Sequence, residues 1–487
     1  MSLSASLSTA NTSLGVTSER SSVISRNIAN KDQAFYSRKS VEVITIPGSG
    51  VRTSAVTRAE DPILFRKVLT SASTASTQGA VLETLDLLNG TINDVSLDAS
   101  PAAMIVKFGD AMQTFSAQPH SELAAKATVR SARDLANSLN TAATTVQTAR
   151  SEADNGIQAS VNRVVSLLDQ FKVVNDKIVI GTVRGEDVTD FMDQRDEILA
   201  NMSNELGIRT VLRGDNDMVV YTDSGVTMFD KSPRKVEFDR SLSLTPGQPG
   251  NAVIIDGVPV TGANATMPLQ SGRIVGLVQA RDDISLTYQA HLDEMARVLV
   301  TTFAETDSAG LEPDMPGLFT YAGATGVPPD GTLIPGLASM LRVNQAVDPD
   351  AGGSAWLLRD GGIAGADYVK NTEGTASYTD HIDSLIERMG QSYAYDSGTD
   401  IATSGTLKDF SAISVGWLQE QRKVADDSYQ YQNTLYQRSY ESFNRVTGVN
   451  LDEEVSTMLE LERSFSTSSK LISVIDQMYN SLLAAIG

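Results

Sequence analysis

The chain has 487 residues, 41% of them hydrophobic and 20% charged, with 39 Lys/Arg against 60 Asp/Glu for a formal net charge of -21, and no cysteine. This is the balance of a folded chain too long for one core, since single cores stop growing at about 250 to 300 residues, so two or three domains are expected. The acidity argues against a nucleic-acid partner, which would need Lys/Arg to neutralise phosphates, and the missing thiols exclude disulfides, thiolate metal sites and cysteine nucleophiles together.

The first eighteen residues carry no charged side chain, and their apolar residues are scattered among Ser and Thr. A secretory signal needs a basic start and about 7 to 15 continuous apolar residues, so export by a route that reads no conventional signal is expected. No apolar run approaches the roughly 18 to 20 residues of a membrane span, and no membrane partner is expected. Leu3, Leu7, Ala10, Leu14, Thr17, Ser21, Ile24 and Ile28 alternate spacings of three and four after the first step, which predicts a helix with a polar-diluted stripe. Residues 1–58 hold seven Lys/Arg against three Asp/Glu.

An extended segment rich in Val, Thr and Ile follows at residues 41–58. Helical periodicity then dominates residues 62–205, with a break at Pro119-His120 and a long Ala-rich stretch from Ser121 to about Lys177. Residues 208–270 read as strands: Arg209 to Leu212, Met218 to Thr222, Val226 to Phe229, Lys235 to Phe238 and Ala252 to Ile255 are β-prone runs. Turn signals at Gly214-Asp215-Asn216, Ser224-Gly225 and Asp256-Gly257 separate them. Helix resumes with Leu292, Met295, Leu299 and Phe303 on one face, residues 306–375 are Gly/Pro-rich and irregular, and a second long helix is expected over 408–447, with Tyr429, Tyr436 and Phe443 at sevenfold spacing.

The strongest pattern is C-terminal, where Leu451, Met458, Phe465, Ile472, Tyr479 and Ile486 recur every seven residues, with Glu454, Leu461, Ser468, Ile475 and Leu482 as companion positions. A helix over 451–486 would be about 50 Å long. Residues 450–487 hold two Lys/Arg against six Asp/Glu, so the two chain ends are electrically complementary. Burying a Leu or Ile contributes about 1.5 to 3 kcal/mol, against roughly 1 to 2 kcal/mol per residue for ordering backbone. Neither diluted terminal helix should therefore order alone; each needs the other and neighbouring copies.

These elements define a multidomain, mainly α fold with a β-rich insertion. Residues 1–40 with 446–487 form a terminal helical domain paired as a coiled coil. Residues 41–205 with 271–445 form a helical rod, irregular over 306–405, and residues 206–270 an inserted outer β domain. Leu7, Leu14, Ile24 and Ile28 at one end, with Leu451, Met458, Phe465, Ile472, Tyr479 and Ile486 at the other, are the expected assembly seam.

Chemistry-bearing patterns are sparse. His120, His291 and His381 lie far apart with no metal-ligand spacing and read as surface or satisfied core residues. Asp187, Asp190, Asp193, Asp196 and Glu197 fall near one helix face, yet Arg195 interleaves them and a solvated or ion-paired face is expected. Asp215-Asn216-Asp217 near Asp223 lacks the spacing of a calcium loop and reads as a hairpin turn. Tyr429, Tyr431, Tyr436 and Tyr440 read as helix packing rather than a stacking platform for bases or sugars. Gly361-Gly362 with Gly365 is no phosphate loop. No catalytic, cofactor-binding or metal residue is expected, and the chain reads as no enzyme.

Asn27-Ile28-Ala29-Asn30 followed by Phe35-Tyr36-Ser37-Arg38-Lys39 resembles the N-terminal signature of the flagellar rod, hook and hook-associated family, which usually has Thr-Pro-Gly where this chain has Gln33-Ala34-Phe35. Gly448-Val449-Asn450-Leu451-Asp452-Glu453-Glu454 resembles the family's C-terminal signature. Two internal stretches are similar to its hook-associated branch: Asp193-Gln194-Arg195-Asp196-Glu197-Ile198-Leu199, and Ser271-Gly272-Arg273-Ile274-Val275-Gly276-Leu277 running on to Arg281-Asp282, with a weaker echo in Arg342-Val343-Asn344 and Asp348-Pro349. The resemblance implies concentric layers, with terminal helices lining an axial tube, a helical rod outside them and an outer β domain. It further implies an extracellular ring of subunits joining hook to filament, exported unfolded by the flagellar type III apparatus. The implied partners are further copies of itself, hook protein, a second junction protein, and a cytoplasmic export chaperone on the C-terminal helix. The rivals are another axial component, such as that second junction protein or flagellin, and a secreted coiled-coil adhesin.

Overall fold

The computed structural model describes residues 3–47, 50–92, 99–241, 243–307 and 309–486. Helix α1 (Leu3–Ala29) leads into a hairpin of β1 (Lys39–Ile46) and β2 (Gly50–Arg58). Four helices follow: α2 (Pro62–Ile92), α3 (Pro101–Ala117), α4 (Glu122–Arg184) and α5 (Thr189–Glu205). Next come β3 (Ile208–Leu212), β4 (Met218–Thr222), β5 (Thr227–Asp230), β6 (Ser232–Pro233), β7 (Val236–Glu237), β8 (Ile254–Ile255) and β9 (Val258–Pro259). Helix α6 (Arg273–Gln279) runs through a π-helical turn, Ala280–Ile284, into α7 (Ser285–Thr302). The irregular stretch holds β10 (Phe319–Tyr321), α8 (Leu337–Met340), β11 (Leu341–Val343), α9 (Leu357–Asp360), α10 (Asp380–Met389), β12 (Tyr393–Ala394) and β13 (Ser404–Gly405), before α11 (Leu407–Thr447) and α12 (Leu451–Ile486). The architecture is mainly helical with small antiparallel sheets, as the periodicities predict.

The 63-residue α4 is the spine. It starts where the Pro119-His120 break ends, with the Ser121 hydroxyl accepting from the Ala124 amide at 3.2 Å and so satisfying one of the orphan N–H groups of its first turn. Ala125, Ala132, Ala136, Ala143 and Ala153 are buried along it, so neighbouring helices approach closely over its length. Two cores divide this helix. Its first half packs with α3, α7, the irregular stretch and the start of α11. Its second half shares a core with α5, α6 and the strands β3, β4, β5, β7 and β8, so these strands are built onto the spine.

In the first sheet the order is β3-β4-β5-β6, antiparallel, with Ile208 opposite Thr222 and Leu212 opposite Met218. Asp215 and Asn216 take positive φ at the β3–β4 turn, the hairpin role read from the sequence. The Ser271-to-Leu277 motif explains itself as packing. Gly272 has φ +108 with the Leu206 backbone against it, and a Cβ at Gly276 would lie 2.2 Å from the Thr77 carbonyl of α2. Among the described residues no helix is long and apolar enough to cross a membrane.

Candidate assembly joint

The chain ends pair, α12 lying along α1, and the β1–β2 hairpin packs on α1 as well. Where this unit meets the rod, the N-terminal motif, the C-terminal motif and the acidic start of α5 converge. Asn27 is the hub, with 0% exposure. Its Oδ1 accepts from the Tyr36 hydroxyl and the Lys39 amide, each at 3.0 Å. Its Nδ2 donates to the Lys39 carbonyl at 2.9 Å and to Glu454 Oε2 at 3.2 Å. Every hydrogen-bonding site of that carboxamide is used, which a buried Asn requires. Glu454, a polar interruption of the heptad pattern, is thus the acceptor that ties the start of α12 to the end of α1.

A chain of ion pairs, buried at Lys39, Arg58, Asp193 and Asp196, extends from this hub into α5. Lys39 Nζ lies 2.5 Å from Asp193 Oδ2 and 3.0 Å from Asp190 Oδ1, and sits over the Tyr36 ring. Arg58 bridges Asp193 at 3.1 Å and Asp196 at 2.7 Å, while Arg26 reaches Asp187 at 3.0 Å and Asp190 at 3.2 Å. Arg38 pairs with Glu453 at 2.9 Å, and its amide donates to the Thr447 carbonyl at the end of α11. Asp187, Asp190, Asp193 and Asp196 of the acidic row are therefore ion-paired.

Burial pushes the carboxyls of Asp193 and Asp196 up, with the nearby cations pulling the other way. Desolvation would also raise Asp187, but its bonds from Thr189 and Arg26 hold it below the usual range. Arg195 is turned inward instead, donating to Asn175 Oδ1 and to the Asn216 carbonyl, and burial lowers its guanidinium to about 10. That side chain pins the β3–β4 turn to the spine.

A second, apolar contact crosses the same joint. Phe35 lies edge-on to Phe65 of α2 and to Tyr440 of α11, at 6.2 and 5.4 Å between ring centroids, with Phe443 completing the cluster. Of the tyrosines, Tyr429 and Tyr436 are half-buried on α11 and Tyr431 is exposed.

On α1, Ile24 is buried and Leu7, Leu14 and Ile28 are half-buried. On α12 the buried row is Glu454, Leu461, Ser468 and Ile475. Met458, Ile472 and Tyr479 are half-buried beside it, Leu451 and Phe465 are exposed, and the side chain of Ile486 lies outside the described residues. Leu459, Leu471, Val474, Met478 and Leu482 are exposed too. Periodicity and motifs mark neither Arg58 nor the partner choice of Lys39, and mark Glu454 only as a companion heptad position and a motif residue, not as the acceptor of Asn27. The usable signal was the spacing of Asn27, Tyr36 and Lys39 in one motif.

The histidines stand apart from the joint. His291 is a core residue: Nε2 donates to the Thr399 carbonyl at 2.6 Å and Nδ1 accepts from the Ser414 hydroxyl at 3.1 Å, a neutral tautomer that burial holds with a pKa of about 4. His381 is likewise lowered to about 4, first by burial and then by Lys370 and Arg388.

Residues 71–319 match the family described as the flagellar hook-associated protein FlgK helical domain, and residues 441–485 match the flagellar basal body rod FlgEFG protein C-terminal family. Flagellar hook-associated protein 1 of Salmonella typhimurium is 21% identical over 307 residues, covering 60% of this chain and 54% of the relative. Its Escherichia coli K12 counterpart is 20% identical over 307 residues, covering 59% and 54%. The chain thus spans about half the length of the curated relatives it matches. Among solved structures, the flagellar hook junction protein FlgK from Burkholderia pseudomallei shares the fold, with a TM-score of 0.57 and 12% identity over 77% of this chain and 99% of that one.

Proposed function

Because the chain belongs to the flagellar hook-associated protein family defined by the FlgK helical domain, we propose that it is a structural subunit of the bacterial flagellum that joins hook to filament by self-assembly through its terminal helices. The observation that carries this reading is the outer face of α12. This 36-residue helix runs beside α1 with Leu459, Phe465, Leu471, Val474, Met478 and Leu482 exposed. Apolar side chains exposed along that length make a contact surface awaiting partners, which a pair of helices cannot cover alone. Further copies in a ring are the natural occupants, with hook protein and a second junction protein above and below.

The role is mechanical. The clustered carboxylates Asp187, Asp190, Asp193 and Asp196 are each engaged by Arg26, Lys39 or Arg58, not held free for acid–base chemistry. In this reading the protein works outside the cell, reaches its place unfolded through the flagellar channel, and has α12 guarded by a cytoplasmic chaperone beforehand. A chain without cysteine suits such threading, because no mispaired disulfide can form on the way.

Electron microscopy of cells deleted for the gene tests the proposal. Hooks present but bare, with flagellin shed into the medium, are expected. Normal filaments on the deleted strain would overturn the junction reading.

A further inference from the structure

Phe35 has φ +60, in the left-handed region. Among the described residues, the other non-glycine residues with positive φ are Asp215, Asn216, Lys231, Asp256 and Asp400. The first four lie at hairpin turns and Asp400 closes a 3-10 turn. Short polar side chains tolerate this region by hydrogen-bonding locally, whereas a bulky aromatic residue persists there only where its surroundings over-determine it.

The surroundings here are specific. The Phe35 ring is held by Phe65, in the first turn of α2, and by Tyr440 and Phe443, near the end of α11, all parts of the rod. The next residue, Tyr36, gives its hydroxyl to Asn27 of α1 and its ring to the ammonium of Lys39. Two adjacent side chains are thus anchored in two different bodies, and the left-handed backbone at Phe35 lets the chain deliver them in opposite senses. We infer that Phe35 is the rod-side half of a latch, with Tyr36 its terminal-side half, and that insertion of the Phe35 ring fixes the angle at which the α1–α12 pair leaves the rod. The Arg38 amide on the Thr447 carbonyl and the ion pairs to α5 keep the two bodies connected, while the ring removes their remaining freedom. Glycine at this position would relax the backbone and lose the latch, so ease of folding and rigidity of the joint are set against each other.

The absence of cysteine allows clean labelling. Nitroxides at Ser25→Cys on α1 and Thr70→Cys on α2, both exposed, report the angle by pulsed electron paramagnetic resonance on the full-length monomer. Ser25 lies two residues from the buried Asn27 hub, so the joint holds this end of α1 even where the far end awaits neighbouring copies: a single narrow distance is expected for the parent, and a distribution at least twice as wide for Phe35→Gly, with the rod's helical circular dichroism unchanged. A Phe35→Gly distribution as narrow as the parent's, or a broad one in the parent, overturns the latch. If Phe35→Gly disturbs the rod itself, Phe35→Leu, which keeps apolar bulk but no ring, is judged by the same criterion. Because the measurement uses the monomer, its outcome is separate from that of the junction proposal.

Discussion

The ammonium of Lys39 meets the carboxylate of Asp193 at 2.5 Å across 154 residues of sequence, with no exposure of the Lys39 side chain. Its neighbours on either side, Asn27 and Arg58, close a buried network that binds α1, α12, the hairpin and α5 into one joint. Removing one member of a buried pair leaves the other charge desolvated, so the network holds geometry even where its net stabilisation is modest.

Lys39→Met should lower the unfolding free energy by about 3 kcal/mol, toward the low end of values for a broken buried pair because Arg58 still pairs with Asp193. Urea denaturation measures this. The double variant Lys39→Met with Asp193→Leu should recover part of the loss, since the buried carboxylate left short of one cation is removed while Arg58 keeps Asp196.

Asn27→Asp changes no volume, yet it replaces a donor to the Lys39 carbonyl and to Glu454 with an acceptor. The repulsion and the two lost bonds should cost about 2 to 4 kcal/mol. Proteolysis within residues 30–38 should speed up accordingly. An unchanged cleavage rate would mean that the hub does not hold the joint closed.

His291 supplies a pH signature. Its folded pKa of about 4 lies below the ordinary 6.5, so the unfolded chain binds the extra proton first as pH falls. The group's contribution is complete above 6.5 and is lost as pH drops toward 4, by up to about 3 kcal/mol. Asp293, held up to about 7 by burial, works in the opposite sense over the same window. Comparison with His291→Gln cancels that term: the stability advantage of the parent should shrink between pH 6.5 and 4, and an advantage constant across that range would contradict the neutral buried imidazole.

Phe465 and Leu461 lie on the same helix with 48% and 5% exposure. Phe465→Asp should change the stability of the monomer by no more than about 0.5 kcal/mol, as at ordinary surface positions, and still abolish junction formation. Leu461→Asp places a charge between α12 and α1 and should uncouple that pair in the monomer. Thermal melts and motility together separate the two. Motility and filament attachment that survive Phe465→Asp would remove it from the seam.

Much of the molecule follows from local pattern. The heptads of α12 end at the residues the spacing predicts, α4 starts after Pro119-His120, the turn at Asp215-Asn216 connects the two strands expected around it, and Asp256-Gly257 closes the strand expected before it. The joint was legible only in pieces: Asn27 to Lys39, Gly448 to Glu454 and Asp193 to Leu199 stand out as motifs, but nothing within any of them states that they touch.

Periodicity and turn chemistry are short-range properties, set by neighbours three, four or seven positions away, so the sequence alone determined the long helices, the β3–β4 turn and the acidic row at α5, whereas the extended segment expected over 41–58 is two strands paired antiparallel. Tertiary structure decided which row of α12 turns inward. The Glu454, Leu461, Ser468 and Ile475 row is buried, although the Leu451 and Phe465 row is the more apolar. A helix with one neighbour buries one strip, and the bond from Asn27 to Glu454 selects which strip that is. The partners of Lys39, Arg58 and Phe35 were decided in the same way, because each lies across a packing contact between segments distant in the chain.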